Sequence, residues 1–241
     1  MKGYFDLHSH ILPGVDDGAA SLEETRSMLQ TAYEEGIRIM TATPHYAIGR
    51  KNASVKQLQE LVEELNEPPF DLCNKPHIIL GNELLFSKEI IDALNRGDAL
   101  TIDGTRYILV EFFPEEEFGM MREGLHHCLL SGYIPILAHT ERYHCLIRHP
   151  WLVGELIQMG VYVQINFSGL VGHILSPKVN FCHKLLKKDW VHFLGTDAHG
   201  AHNRAPRVRK EVTRLMKKYG EETVTRLLWS NPMKMLEDRH L

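Results

Sequence analysis

The sequence predicts an α/β fold: a closed barrel of seven parallel strands that carries its chemistry at the C-terminal strand ends. Three observations lead there. Short β-rich apolar runs alternate with amphipathic helical runs, the pattern of parallel strands joined by right-handed crossovers. The length, 241 residues, fits one α/β barrel. No glycine-rich phosphate loop follows the first strand, which weakens the competing open doubly wound sheet. Residues 1–241 read as a single domain, with no long linkers, repeats or low-complexity tracts.

Gly3 to Leu7 reads as the first strand, followed by His8-Ser9-His10 and the turn Asp16-Asp17-Gly18. Ser21 and Glu24 have capping-box spacing and start a helix that runs to about Gly36, with Leu22, Leu29, Ala32 and Tyr33 near one face. Ile37 to Thr43 is the second strand, ending at Pro44-His45. After the basic loop Gly49-Arg50-Lys51-Asn52, Ser54 and Gln57 cap a second helix with apolar residues at Val55, Leu58, Leu61, Val62 and Leu65. Pro68-Pro69 breaks the chain. Further strands are expected at His77–Gly81, Tyr107–Val110, Ile134–Ala138, Val161–Ile165 and Val191–Gly195. Helices are expected near Ser87–Arg96, Arg122–Ser131, Trp151–Met159 and Phe181–Lys188, with two more from Arg207 to Leu236 separated near Gly220.

Six of those seven strands end on a residue that can bind a metal: His8 and His10, His45, Glu83, Glu111, His139, and Asp197 with His199. In a parallel barrel these ends share one face, the face that holds active sites. With Asp17 from the first loop, the candidates number nine. A lone His-x-His could be two exposed histidines on an edge strand, and Glu83 or Glu111 alone could be an ordinary strand cap. Together they exceed the four to six positions of one ion and suit two or three divalent ions sharing a carboxylate, such as manganese, iron or zinc. Glu111 lies in the apolar run Ile108–Phe113, where its charge needs a metal or an arginine. The ten remaining histidines, His126, His127, His144 and His183 among them, read as solvated; His144 and His202 lie nearest the candidates in sequence.

A formal net charge of −4 gives no electrostatic case for nucleic-acid binding. No apolar run is long enough to span a membrane, and no signal-peptide pattern opens the chain, so a cytoplasmic protein without membrane insertion is expected. Cys73, Cys128, Cys145 and Cys182 form no C-x-x-C. None is followed six residues later by arginine, the spacing a cysteine phosphatase requires.

Asp6-Leu7-His8-Ser9-His10, Asp16-Asp17-Gly18, Thr43-Pro44-His45, Gly81-Asn82-Glu83, Glu111-Phe112, His139-Thr140-Glu141-Arg142-Tyr143 and Thr196-Asp197-Ala198-His199 together resemble the polymerase-and-histidinol-phosphatase (PHP) superfamily. The His-x-Glu-Arg-Tyr run, and Asp-x-His followed by Arg204 and Pro206, resemble more closely its bacterial capsule and exopolysaccharide tyrosine-phosphatase branch, the CpsB/CapC family. The resemblance spans essentially the whole chain and implies a distorted TIM-like (β/α)7 barrel, the PHP fold. It implies three divalent ions, with manganese favoured and iron, zinc or magnesium as alternatives. His8, His10, Glu83 and Asp197 would hold one ion; Glu83, Glu111 and His139 a second, with Glu83 bridging; Asp17, His45 and His199 the third. Between Asp16 and Asp17, both within reach, the family pattern favours Asp17. Arg142 and Arg204 would contact the substrate phosphate. The implied partner is a phosphotyrosine protein, foremost the C-terminal tail of a bacterial tyrosine kinase, with a role in capsule synthesis. A small-molecule phosphomonoesterase such as histidinol-phosphate phosphatase is the alternative enzyme, and a non-catalytic module bound to a polymerase the alternative of another class.

Overall fold

The computed structural model describes residues 3–67, 74–173 and 175–241, so the Pro68-Pro69 break and Cys73 lie outside the described residues. Nine strands are present among them: β1 (Tyr4–Ser9), β2 (Ile37–Ala42), β3 (His45–Tyr46), β4 (His77–Leu80), β5 (Glu83–Leu85), β6 (Tyr107–Glu111), β7 (Ile134–Leu137), β8 (Tyr162–Asn166) and β9 (Phe193–Gly195). All pair in parallel, in the orders β1-β2-β4 and β3-β5-β6-β7-β8-β9. The expected seven staves are these nine strands, because β2 runs on into β3 and β4 into β5 across short kinks.

The kinks have a physical cause. Pro44 has no N–H for the ladder. Its carbonyl is taken instead by the Asn82 side chain (2.9 Å) and the Glu83 amide (3.1 Å). Each kinked stave thereby passes from one sheet to the other. The ring closes where the Asp197 amide donates to His8 O and the His10 amide to Ala198 O, each at 2.8 Å. The fold is thus a distorted TIM-like barrel. Phe5, Leu7, Tyr107, Leu109, Ile136 and Phe193 fill its interior, so it is a packed core rather than a pore.

The helices pack outside: α1 (Leu22–Glu34), α2 (Val55–Asn66), α3 (Ile90–Arg96), α4 (Phe118–Leu130), α5 (His144–Arg148), α6 (Trp151–Met159), α7 (Pro177–Lys187), α8 (Arg209–Tyr219), α9 (Glu221–Thr225) and α10 (Asn231–Leu236). Ser21 and Ser54 cap α1 and α2 as expected, accepting from the amides three residues on. The inner face of α1 differs from the expectation: Thr25 and Met28 are buried beside Leu29 and Ala32, while Leu22 and Tyr33 are half-buried. Helices α4 and α7 begin four residues earlier than expected, and α5 was not foreseen. Neither α4 nor α7 has a side-chain cap bond to mark its start.

Candidate metal centre

The strand-end expectation becomes a cluster through register. Parallel pairing sets His45 beside Glu83 and Leu85 beside Glu111. His45, Glu83 and Glu111 therefore face one way, since residues two apart share a face. Strand β1 extends to Ser9, past its expected end at Leu7, and three of its residues from Asp6 oppose two of β2. Such a bulge re-aims side chains; Leu7 and His8 are both fully buried. His139 and Asp197 each lie two residues past a strand, at φ of 30° and 52°. That left-handed backbone is strained for residues other than glycine, and it turns both side chains into the mouth.

Glu83 is the centre of the cluster. Its Oε2 lies 3.3 Å from His8 Nε2, 3.3 Å from His10 Nε2 and 3.1 Å from His45 Nδ1, and its Oε1 lies 2.7 Å from His139 Nε2. Glu111 reaches His45 Nδ1 (3.2 Å) and His139 Nε2 (3.4 Å). Asp197 Oδ1 is 3.6 Å from both His8 and His10 and 3.4 Å from His199 Nδ1. Asp17, exposed, lies 3.3 Å from His45 and 3.5 Å from His199. All nine predicted residues come together. Three groups have donor atoms mutually close enough for one ion: His8, His10 and Asp197; His45, Glu83 and Glu111; and His10, Asp17, His45 and His199. In this grouping His10 and His45 are shared, and His139 stands beside the second group.

The donor set fits divalent cations. It combines imidazole and carboxylate, the ligands of zinc, iron and manganese sites. His139 Nδ1 is buried without a hydrogen-bond partner among the described residues. Burial pushes His199 down to about 4, helped by the neighbouring His10, which keeps its ring neutral as a ligand requires. Burial also opposes charge on His10, His45 and His139, but the facing carboxylates prevail: His10 and His139 are raised to about 9 and His45 to about 11. Glu83 is held well below the usual carboxylate range despite burial, by the His8 and His139 charges, and Asp197 falls to about 2 for like reasons. A cation binds neutral imidazole, so loading should displace protons from His10, His45 and His139. We expect roughly two to three protons released per fully loaded molecule near pH 7.5, and cation affinity that weakens as pH falls. Calorimetry in buffers of differing ionisation enthalpy measures this, and loading without proton release would refute it.

The residues that hold these side chains were mostly not foreseen. Asp16 accepts from His10 Nδ1 (2.7 Å) and from the His45 amide (3.1 Å). It therefore braces His10 from behind, while Asp17 faces the open side. Gly18 completes that turn, because a Cβ there would lie 2.1 Å from His10 O. Asp6, its carboxyl raised to about 6 by burial, accepts from the Thr196 amide (2.8 Å) and Oγ1 (2.5 Å) and so ties β1 to the loop of Asp197. Strand β8, the stave without a predicted metal-capable end, supplies carboxamides instead. Gln164 Oε1 accepts from the His139 amide (2.6 Å) and lies 3.4 Å from His8 Nδ1; Gln164 Nε2 donates to Asn166 Oδ1 (2.7 Å), and Asn166 Nδ2 to Asp197 Oδ2 (2.8 Å). The signal was present in sequence: Gln164 and Asn166 are two apart at a strand end, the spacing of His8 and His10.

Arg142 and Arg204 both pair with Asp197 Oδ2, Arg204 at 2.7 Å. Both are partly exposed and flank the cluster. A cleft of about 360 Å³ beside His45, Asp17 and Glu111 is lined by Arg50 and Lys51 from the basic loop. Two histidines correct the expectation that the other ten are solvated. His183 is half-buried, with Nδ1 2.8 Å from Tyr219 Oη, and half-buried His192 accepts the Val163 amide at 3.1 Å. His144 and His202 are exposed.

The sequence model for capsular polysaccharide synthesis proteins CpsB/CapC matches residues 4–237. The chain belongs to the CpsB/CapC family. Tyrosine-protein phosphatase CpsB of Streptococcus pneumoniae is 30% identical over 97% of this chain and 98% of its own length. Tyrosine-protein phosphatase YwqE of Bacillus subtilis (strain 168) is 31% identical over 90% of this chain and 85% of its own. A chain from the crystal structures of YwqE and S. pneumoniae CpsB, described as unique metal-dependent tyrosine phosphatases, superposes with a TM-score of 0.89 at 28% identity, covering 98% of this chain and 95% of the other. In this CpsB/CapC member no helix among the described residues is long and apolar enough to cross a membrane.

Proposed function

We propose that this chain is a metal-dependent protein-tyrosine phosphatase, one domain over residues 1–241, acting in the cytoplasm on a bacterial tyrosine kinase tail and so on capsule synthesis. The observation that carries the reading is the meeting of nine side chains of cation-ligand type and two arginines at one barrel mouth, in a member of a family whose relatives are tyrosine phosphatases. His8, His10, Asp17, His45, Glu83, Glu111, His139, Asp197 and His199 would hold up to three ions, manganese first. Bound there, divalent cations supply Lewis acidity and a nucleophile at neutral pH.

The chain's own residues do the rest. Arg142 and Arg204 present planar guanidinium forks that match phosphoryl oxygens. Both are held at one point by Asp197, so they meet a phosphate from the same side. Arg50 and Lys51 favour a dianionic ester at the cleft entrance. Tyrosinate, with a pKa of about 10, leaves without strong acid assistance. Arg142→Ala and Arg204→Ala should each lower kcat/KM on a phosphotyrosine peptide by about a hundredfold, with cation content unchanged. The substrate test compares that peptide with the matching phosphoserine peptide and histidinol phosphate. Equal or better turnover of histidinol phosphate would reassign the protein to small-molecule phosphomonoesters.

A further inference from the structure

A groove of about 800 Å³ begins at Asp197 and Arg204 and runs along the start of α8, against a wall formed by Phe167 and Val171. Its volume lies within the range of ligand-binding clefts. Its cations are Arg204, Arg207, Arg209, Lys210 and Arg214, facing three carboxylates, Glu35, Asp197 and Glu211. Each of those carboxylates is already engaged. Asp197 holds the two arginines of the centre. Glu35 Oε2 accepts the Val208 amide (3.0 Å) and the Arg209 amide (2.7 Å). Glu211 pairs with Arg214 at 3.6 Å. Arg207, Arg209 and Lys210 are exposed and form no ion pair among the described residues. They are not carried on a loose loop. His199 N donates to Arg204 O (3.1 Å), Arg207 N to Ala205 O (2.8 Å), and Pro206 and Val208 are buried. The protein as a whole has a formal charge of −4, so this local excess of positive charge is not a reflection of bulk composition.

We infer that this groove is an accessory subsite for acidic side chains flanking the phosphotyrosine. The inference rests on the phosphotyrosine reading above and adds a sequence preference to it. Arg204 belongs to both sites, so a peptide whose phosphate meets Arg204 has its neighbouring residues at the groove mouth. Aspartate or glutamate there meets uncommitted cations, and the apolar wall takes up the aliphatic parts of the chain.

The test uses the full chain loaded with manganese. Its substrates are a phosphotyrosine peptide flanked by Asp and Glu, the same peptide with Asn and Gln in those places, and para-nitrophenyl phosphate, which is too small to reach the groove. We expect kcat/KM for the acidic peptide to exceed that for the neutral one by about tenfold, the combined effect of three exposed charge pairs. The ratio should fall towards one in the R207Q/R209Q/K210Q variant and, in the unsubstituted protein, as salt is raised. Equal kcat/KM for the two peptides overturns the subsite alone, and so does a preference indifferent to salt or to the triple substitution. Hydrolysis of para-nitrophenyl phosphate with neither peptide turned over overturns the phosphotyrosine reading and the subsite with it. Stronger inhibition by a single-stranded oligonucleotide than by an acidic peptide lacking phosphate assigns the groove to nucleic acid and also overturns the inference.

Discussion

Glu83→Ala is expected to abolish turnover and empty the site of cations. Glu83 is almost wholly buried, yet its two oxygens face four imidazoles: His8 on β1 and His45 on β3, with His10 and His139 just past the ends of β1 and β7. No other carboxylate in the cluster touches as many. Its removal leaves His10, His45 and His139 with less to hold their charge and takes a donor from the group of His45, Glu83 and Glu111. Outer partners of metal ligands alone are worth about ten- to a hundredfold in activity or affinity, so a hundredfold loss is the least expected here. His139→Ala should behave similarly. His126→Ala, on the exposed face of α4, should not. Metal analysis, turnover and circular dichroism on the three variants decide the matter. Comparable losses in all three with folding intact would show that proximity to a strand end has no bearing on activity.

Exhaustive chelation is the second large effect: all phosphatase activity should disappear and return with manganese. Removal of every thiol should cost nothing comparable. Cys128 and Cys182 are buried, and burial raises the Cys128 thiol to about 12 and pushes Cys182 up as well. A thiol held protonated is a poor nucleophile. Cys145, half-buried, is likewise raised and lies against Met121 Sδ rather than in the mouth. Full activity after chelation, or a folded cysteine-free variant without activity, would reverse the assignment of chemistry to the metal centre.

The barrel was legible because parallel strands covered on both faces read as continuous apolar runs, such as Ile134–Leu137. The extra strands were not legible. β3 has two residues and β5 three, too few for periodicity, and each lies past a kink at which its stave changes sheets. Helix α5, of five residues, fails for the same reason of length. The convergence of nine donors followed from one rule, that all strand ends share a face. Which donors are shared did not follow, because it depends on the His45–Glu83 register and on the bulge in β1. Nor did the clasp of both arginines on Asp197. It needs left-handed backbone at Asp197 (φ 52°) and Arg204 (φ 55°), which no residue-type preference predicts there. Gln164 and Asn166 carry no charge, so in the sequence only their spacing marks them.

The seam between the first and last staves bears on how the protein is made. His8 and His10 emerge before Asp197 and His199, which close the ring upon them and come nearly 190 residues later. Pairings that distant in sequence are the slow, entropically demanding part of folding. A nascent chain therefore displays two imidazoles with no completed cage around them until Asp197 and His199 have been translated. On the proposed ligand set, cation capture follows closure of this seam, and a fully occupied mouth reports that the first and last staves have met.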